Sequence, residues 1–141
     1  MGKLSKEVLA EKDNVEVSLS NLKKVIKKKR KSVVELAAIG TFLHNIYNGI
    51  ENILKQILKM ENIEIPQTAT WHKDLLKFSL SNGVISKKLS DELYKYLTFR
   101  HFFVHSYGFE LDEAYLRNLT KDIPKVWSQF ISEIEKSYLD E

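Results

Sequence analysis

The sequence predicts an all-α protein, an antiparallel four-helix-type bundle with one additional short helix. Three observations carry this. Only 5 Gly and 2 Pro interrupt 141 residues, so the chain has few helix breakers. Apolar residues recur at the helical period in every long segment. The clearest stripe is Leu36, Ile39, Leu43, Ile46, Ile50, Ile53, Ile57 and Met60. It alternates spacings of three and four without a break, the pattern of a helix packed at a shallow crossing angle. With 43% hydrophobic residues, positions 1–141 can fill one core and are expected to form a single domain.

The elements follow in order. Leu4, Val8, Val15, Leu19, Leu22 and Ile26 mark a first amphipathic helix whose stripe lacks one apolar residue at Glu11. Ser32-Val33-Val34-Glu35 reads as a capping box that opens the long second helix, near Ser32 to Glu61. A second row, Val34, Ala38, Phe42, Tyr47, Leu54 and Leu58, widens its core face. The two helices are expected to form an antiparallel hairpin, although no Gly or Pro marks the turn and one continuous helix is the alternative. Pro66 lies in the loop that follows. A short third helix carries Trp71, Leu75, Leu76, Phe78 and Leu80, then stops at Asn82-Gly83. The fourth begins between Ser86 and Ser90, directs Leu89, Leu93, Leu97 and Val104 inward, and ends at Gly108. Asp112 caps the fifth, with Leu111 and Leu116 as a hydrophobic staple. That helix continues through Leu119, Ile123, Val126, Phe130 and Ile134, with a kink or restart at Pro124.

Composition removes several function classes. There are no cysteines, which excludes disulfides, thiolate zinc sites and cysteine nucleophiles and is compatible with a reducing compartment. The N-terminal residues have no apolar signal-peptide core, and Lys6 stands where a myristoylation pattern needs Ser or Thr. No apolar run is long enough to span a bilayer. A cytoplasmic protein with no membrane association is expected. The net charge of +3 conceals a basic run of seven residues between Lys23 and Lys31. Lys27, Lys28, Lys29, Arg30 and Lys31 are its candidate RNA-binding part, since a cationic corner attracts a polyanion by its field and by counterion release. Lysines that complement the end of the first helix's dipole give the same run.

The chemistry concentrates at Arg100-His101-Phe102-Phe103-Val104-His105-Ser106-Tyr107. Measured around the fourth helix from Leu89, Arg100 falls at about 20°, in the middle of the apolar stripe. A guanidinium there requires an acidic partner such as Glu51 or Glu35, a phosphate, or an open cleft. His101 and His105 fall at about 120° and about 160°, one turn apart and beside Tyr94 at about 140°. A histidine in the last turn can act as general base in one half-reaction and as acid in the other; a surface histidine capping helix carbonyls is the plainer alternative. Arg100 and His105 diverge by about 140°. Either the helix end is distorted or a two-fold homodimer combines both residues around one cleft. His101 and His105 could share a metal ion, but a third ligand is not evident beyond Glu110 and Asp112, so no metal and no cofactor is expected. His44 and His72 read as ordinary amphipathic positions.

This run resembles the HEPN superfamily of helical ribonucleases, and more closely the HepT toxins of HEPN/MNT toxin-antitoxin pairs. The HEPN signature is Arg, a polar residue, three variable residues and His, which Arg100, His101 and His105 match. HepT proteins extend it to Arg-x4-His-x-Tyr, which Tyr107 completes. Trp71-His72-Lys73-Asp74-Leu75-Leu76 is similar to their short third helix. The resemblance implies a HEPN-like bundle and a metal-independent endoribonuclease acting as a homodimer. It implies that His105 deprotonates the ribose 2′-hydroxyl, that Arg100 orients the phosphate and stabilises its charge, and that His101 assists. The products would be a 2′,3′-cyclic phosphate and a 5′-hydroxyl. It also implies an MNT-type nucleotidyltransferase antitoxin that adenylylates Tyr107 and so repels RNA from the cleft. A tyrosine capping the bundle is the simpler reading of Tyr107. A non-catalytic HEPN-like module that binds a nucleotide or partner beside a nucleotidyltransferase is the alternative to the nuclease, because fold alone does not decide between them.

Overall fold

Five α-helices form among the residues described by a computed structural model, 5–29, 32–105 and 112–138. They are α1 (Lys6–Ile26), α2 (Val33–Met60), α3 (Trp71–Ser81), α4 (Lys87–His105) and α5 (Glu113–Tyr138), with no strand among the described residues. The hairpin alternative holds for the first two helices. α1 ends at Lys27, and Ser32 opens α2 with a complete capping box: Glu35 N–H donates to Ser32 Oγ at 3.1 Å and Ser32 N–H donates to Glu35 Oε1 at 2.8 Å. Lys28 Nζ then meets Glu35 Oε2 at 2.7 Å across the corner. Lys28 and the Ser32 N–H together hold the Glu35 carboxyl down at about 2.

Side-chain pairs fix the direction of every long helix. Val15 packs on Gly49, and Asn52 donates to Glu11 Oε2 at 3.3 Å, so α1 and α2 are antiparallel. That bond also accounts for Glu11 in an otherwise apolar stripe. Arg100 meets Asn48, and Phe103 meets His44, so α4 runs against α2. Ser86 at the start of α4 bonds Glu133 near the end of α5, and Lys12 of α1 pairs with Glu135. The order is thus up, down, up, down, with α3 laid against α2 and α4. Consequently the C-terminal end of α4 and the basic α1–α2 corner lie at the same end of the bundle.

The α2 seam is the centre of the core. Ile39 to Ile57 of the stripe are buried together with Tyr47, Leu54 and Leu58, and Leu36 and Met60 at its ends are partly exposed. Each fully buried Leu or Ile contributes about 1.5–3 kcal/mol. Tyr96 closes the α4–α5 contact, its hydroxyl donating to Leu119 O at 2.8 Å while burial pushes its acidity well below that of an ordinary phenol. Asn82 ends α3, and Gly83 follows with φ +73°, a left-handed turn that suits glycine.

Three expectations need correction. Val34 is 76% exposed because it lies in the first turn of α2, beyond the contact with its neighbours. Val104 is 42% exposed, and the inward positions of that stretch of α4 are Tyr96 and Phe99. Pro124 neither breaks nor restarts α5, which is one helix. Ile123 and Val126 on either side are buried, so packing holds the helix across the missing N–H. Asp112 caps α5 as expected, its Oδ1 accepting from Ala114 N–H at 2.9 Å. Leu111 of the staple and Gly108 lie outside the described residues. No described helix is long and apolar enough to cross a membrane.

Candidate active site

Arg100 is half-buried on α4, and neither of the acidic partners anticipated for it is available. Glu35 is taken by Lys28. Glu51, 2% exposed, accepts from His72, whose Nδ1 stands 3.0 and 2.9 Å from its two oxygens. The one hydrogen bond of Arg100 among the described residues runs from Nε to Asn48 Oδ1, at 3.4 Å. A guanidinium only donates, so this contact orients the Asn48 amide. Asn48 Nδ2 therefore donates to His44 Nε2, 3.0 Å away. Burial, and then the Arg100 charge, hold the His44 imidazole below its usual value. A neutral ring is what an acceptor at Nε2 requires.

The third possibility for a guanidinium in an apolar stripe was an open cleft, and the structure has one. A cleft of about 370 Å³ between α3 and α4 is lined by Thr70, His72, Lys73, Tyr94, Arg100 and His101, among others. A cation and an imidazole from each of its two walls, Lys73 and His72 on α3 and Arg100 and His101 on α4, make it a receptor for an anion. His101 joins it to His105, the two rings standing 4.6 Å apart on the exposed side of α4. His105 itself is not among the cleft residues, which is the divergence that the helical wheel gives. The buried Tyr47 hydroxyl has no hydrogen-bond partner among the described residues, and burial and then the Glu51 charge push its acidity far down.

The other expected site residues fall into two groups. Lys27, Lys28 and Lys29 are exposed at the α1–α2 corner, at the motif's end of the bundle, with Lys28 engaged by Glu35. Arg30, Lys31 and Tyr107 lie outside the described residues, as does Glu110. No group of three or more His, Asp or Glu side chains gathers to hold a metal ion among the described residues.

Sequence reasoning missed Asn48 and the pairing of Glu51 with His72, having offered Glu51 only as a partner for Arg100. A signal was present: His44, Asn48, Glu51 and Lys55 recur at spacings of four, three and four, a polar row beside the apolar seam of α2. Lys55 completes it, its Nζ 4.2 Å above the Trp71 ring, which lies 3.6 Å from the His72 ring.

A family model described as HepT-like protein matches residues 38–139. The fold is similar to a tri-AMPylated Shewanella oneidensis HEPN toxin solved in complex with an MNT antitoxin, at TM-score 0.82 and 18% identity over 94% of this chain and 98% of that one. It is also similar to a toxin-antitoxin structure with AMP-PNP, at TM-score 0.79 and 16% identity over 93% and 98% of the two chains. A cytosolic protein of unknown function from Bacillus subtilis, YutE, matches at TM-score 0.76 and 18% identity over 99% and 94%. No curated protein sequence matches significantly. At such identities the solved structures establish the all-helical HEPN fold.

Proposed function

The chain belongs to the HepT-like family, and from that premise we propose that it is a metal-independent endoribonuclease toxin working as a cytoplasmic homodimer. The observation that carries the proposal is Arg100: a half-buried guanidinium with no carboxylate partner among the described residues, open to a cationic cleft beside His101. Such a group is stabilised by a phosphate. In the reaction His105 takes the proton of a ribose 2′-hydroxyl, and the 2′-oxygen attacks the adjacent phosphorus. Arg100 orients the phosphate and stabilises charge on its oxygens. His101 assists by hydrogen bonding, and the chain is cut to a 2′,3′-cyclic phosphate and a 5′-hydroxyl. The exposed lysines of the α1–α2 corner extend the cationic surface along the RNA.

Control of this activity is assigned to an MNT-type nucleotidyltransferase antitoxin that adenylylates Tyr107. The similar Shewanella oneidensis toxin is AMPylated and bound to an MNT antitoxin, which supports this reading. Added bulk and phosphate charge two residues beyond His105 would keep RNA from the cleft.

The test uses unmodified protein, verified by intact mass, incubated with cellular RNA in EDTA. Arg100→Ala and His105→Ala should each cut slower by roughly 10²–10³-fold. RNA left equally intact by wild type and both variants would defeat the nuclease and leave the binding-module alternative. Mixing the two inactive variants probes the dimer: if one site uses Arg100 and His105 from different chains, mixed dimers regain activity.

A further inference from the structure

We infer that His72, held by Glu51, is a catalytic residue of this cleft, the acid that protonates the leaving 5′-oxygen of the scissile phosphate. The inference rests on the nuclease reading and assigns the half of the reaction that Arg100, His101 and His105 leave unassigned. Transesterification moves two protons. As the 2′-oxygen to phosphorus bond forms, the 2′-hydroxyl proton goes to His105; as the phosphorus to 5′-oxygen bond breaks, that oxygen needs a proton, because an alkoxide is a poor leaving group. The donor becomes a neutral imidazole, His105 becomes an imidazolium, and exchange with water restores both.

His72 is built for that task in three respects. Its Nδ1 lies 3.0 and 2.9 Å from the two oxygens of Glu51, a carboxylate only 2% exposed. A carboxylate only accepts, so Nδ1 carries a hydrogen and the tautomer is fixed. The other ring nitrogen makes no hydrogen bond among the described residues, and the residue lines the cleft that contains Arg100. The ring also has an aromatic neighbour: the Trp71 ring is tilted against it with centroids 3.6 Å apart, and Lys55 lies above Trp71. A buried carboxylate is costly when it serves stability alone. Here it orients an imidazole at the wall of an anion-binding cleft.

Along the bundle, His72 and Arg100 stand at neighbouring levels of one cleft. Arg100 is level with Asn48 on α2, and His72 with Glu51, one turn further from the motif's end. His105 lies on the opposite side of Arg100, about 7.5 Å further along α4. A phosphate held by Arg100 therefore lies within one turn of His72 along the bundle axis. The first turn of α3, where His72 stands, adds the positive end of a helix dipole to the same wall.

The experiment replaces the leaving oxygen. A cleavage site is first mapped in RNA cut by the wild type, and an oligonucleotide spanning it is made with the bridging 5′-oxygen or with sulfur in its place. A thiolate leaves without protonation. His72→Gln should lose roughly 10²–10⁴-fold on the oxygen substrate and return to near the wild-type rate on the sulfur substrate, whereas Arg100→Ala should be slow on both. Glu51→Gln, a positioning variant whose amide oxygen still accepts from Nδ1, should show a smaller loss with the same sulfur rescue. It provides the readout if His72→Gln fails to fold by circular dichroism. Equal losses on both substrates, or wild-type rates on the oxygen substrate, overturn the inference. A wild type inert toward both substrates brings down the nuclease reading first and this one with it.

Discussion

On the side facing α1, α2 is close-packed: a Cβ added at Gly49 would collide with Cγ2 of Val15. On the side facing α3 and α4, the same helix carries His44, Asn48 and Glu51, and the hydrogen bonds of Arg100 and His72 run to Asn48 and Glu51. Gly49 and Asn48 are neighbours in the chain, yet they serve opposite ends. The first face supplies stability through buried area and fit. The second buries polar groups whose desolvation must be offset by hydrogen bonds, and what it gains is orientation of Arg100 and His72. A helix can separate the two tasks because residues one apart point about 100° away from each other.

If that division is real, substitutions on the two faces should affect different measurements. The largest effect is expected from Arg100→Lys. A lysine keeps the charge but cannot hold Asn48 and still present a planar fork to phosphate. RNA cleavage should fall by roughly 10²-fold with the melting temperature little changed; a wild-type rate would break the assignment of orientation to this face. Gly49→Val comes next. Overpacking against Val15 should cost about 1–3 kcal/mol in urea denaturation, with cleavage per folded molecule unaltered. Part of the loss should return in a double variant with Val15→Ala, and additive losses would show that the two residues do not press on one another.

A smaller effect is expected from acid. His44 titrates below its usual 6.5 because burial, and then Arg100, disfavour its charged form. As pH falls through 6.5, the unfolded chain takes up a proton that the native state refuses, so this contribution to stability is present above 6.5 and is lost on acidification toward the lowered native value. The urea midpoint should therefore drop more for wild type than for His44→Gln between about pH 7.5 and about pH 5. Equal drops would place the acid sensitivity elsewhere. The smallest effect belongs to Val34→Ser. Val34 lies outside both faces at 76% exposure, so its loss should stay within about 0.5 kcal/mol by the same urea assay.

Much of the fold was legible because helix period and caps are local properties. Ser32 and Glu35 specify their capping box within four residues, and the α2 seam buries almost as its spacing requires. Val104 misled because its angle on the wheel matched the stripe, while α4 near its end has too little partner surface to cover it. At Pro124 no restart occurs, since packing carries one helix across the proline. In the site, Arg100 and the His101–His105 pair could be read from one helix. Glu51 and His72 could not be joined, because they are 21 residues apart on different helices.

The sequence alone determined the helices, the hairpin's cap and the misfit of a guanidinium in an apolar stripe, because each is set within a few turns of chain. Only the tertiary structure decided what relieves that misfit. Packing α3 and α4 on one face of α2 gives Glu51 to His72 and Asn48 to Arg100, which leaves the guanidinium facing a cleft. Partner choice among buried polar groups depends on which side chains meet across helices, and no periodicity within one segment encodes that meeting.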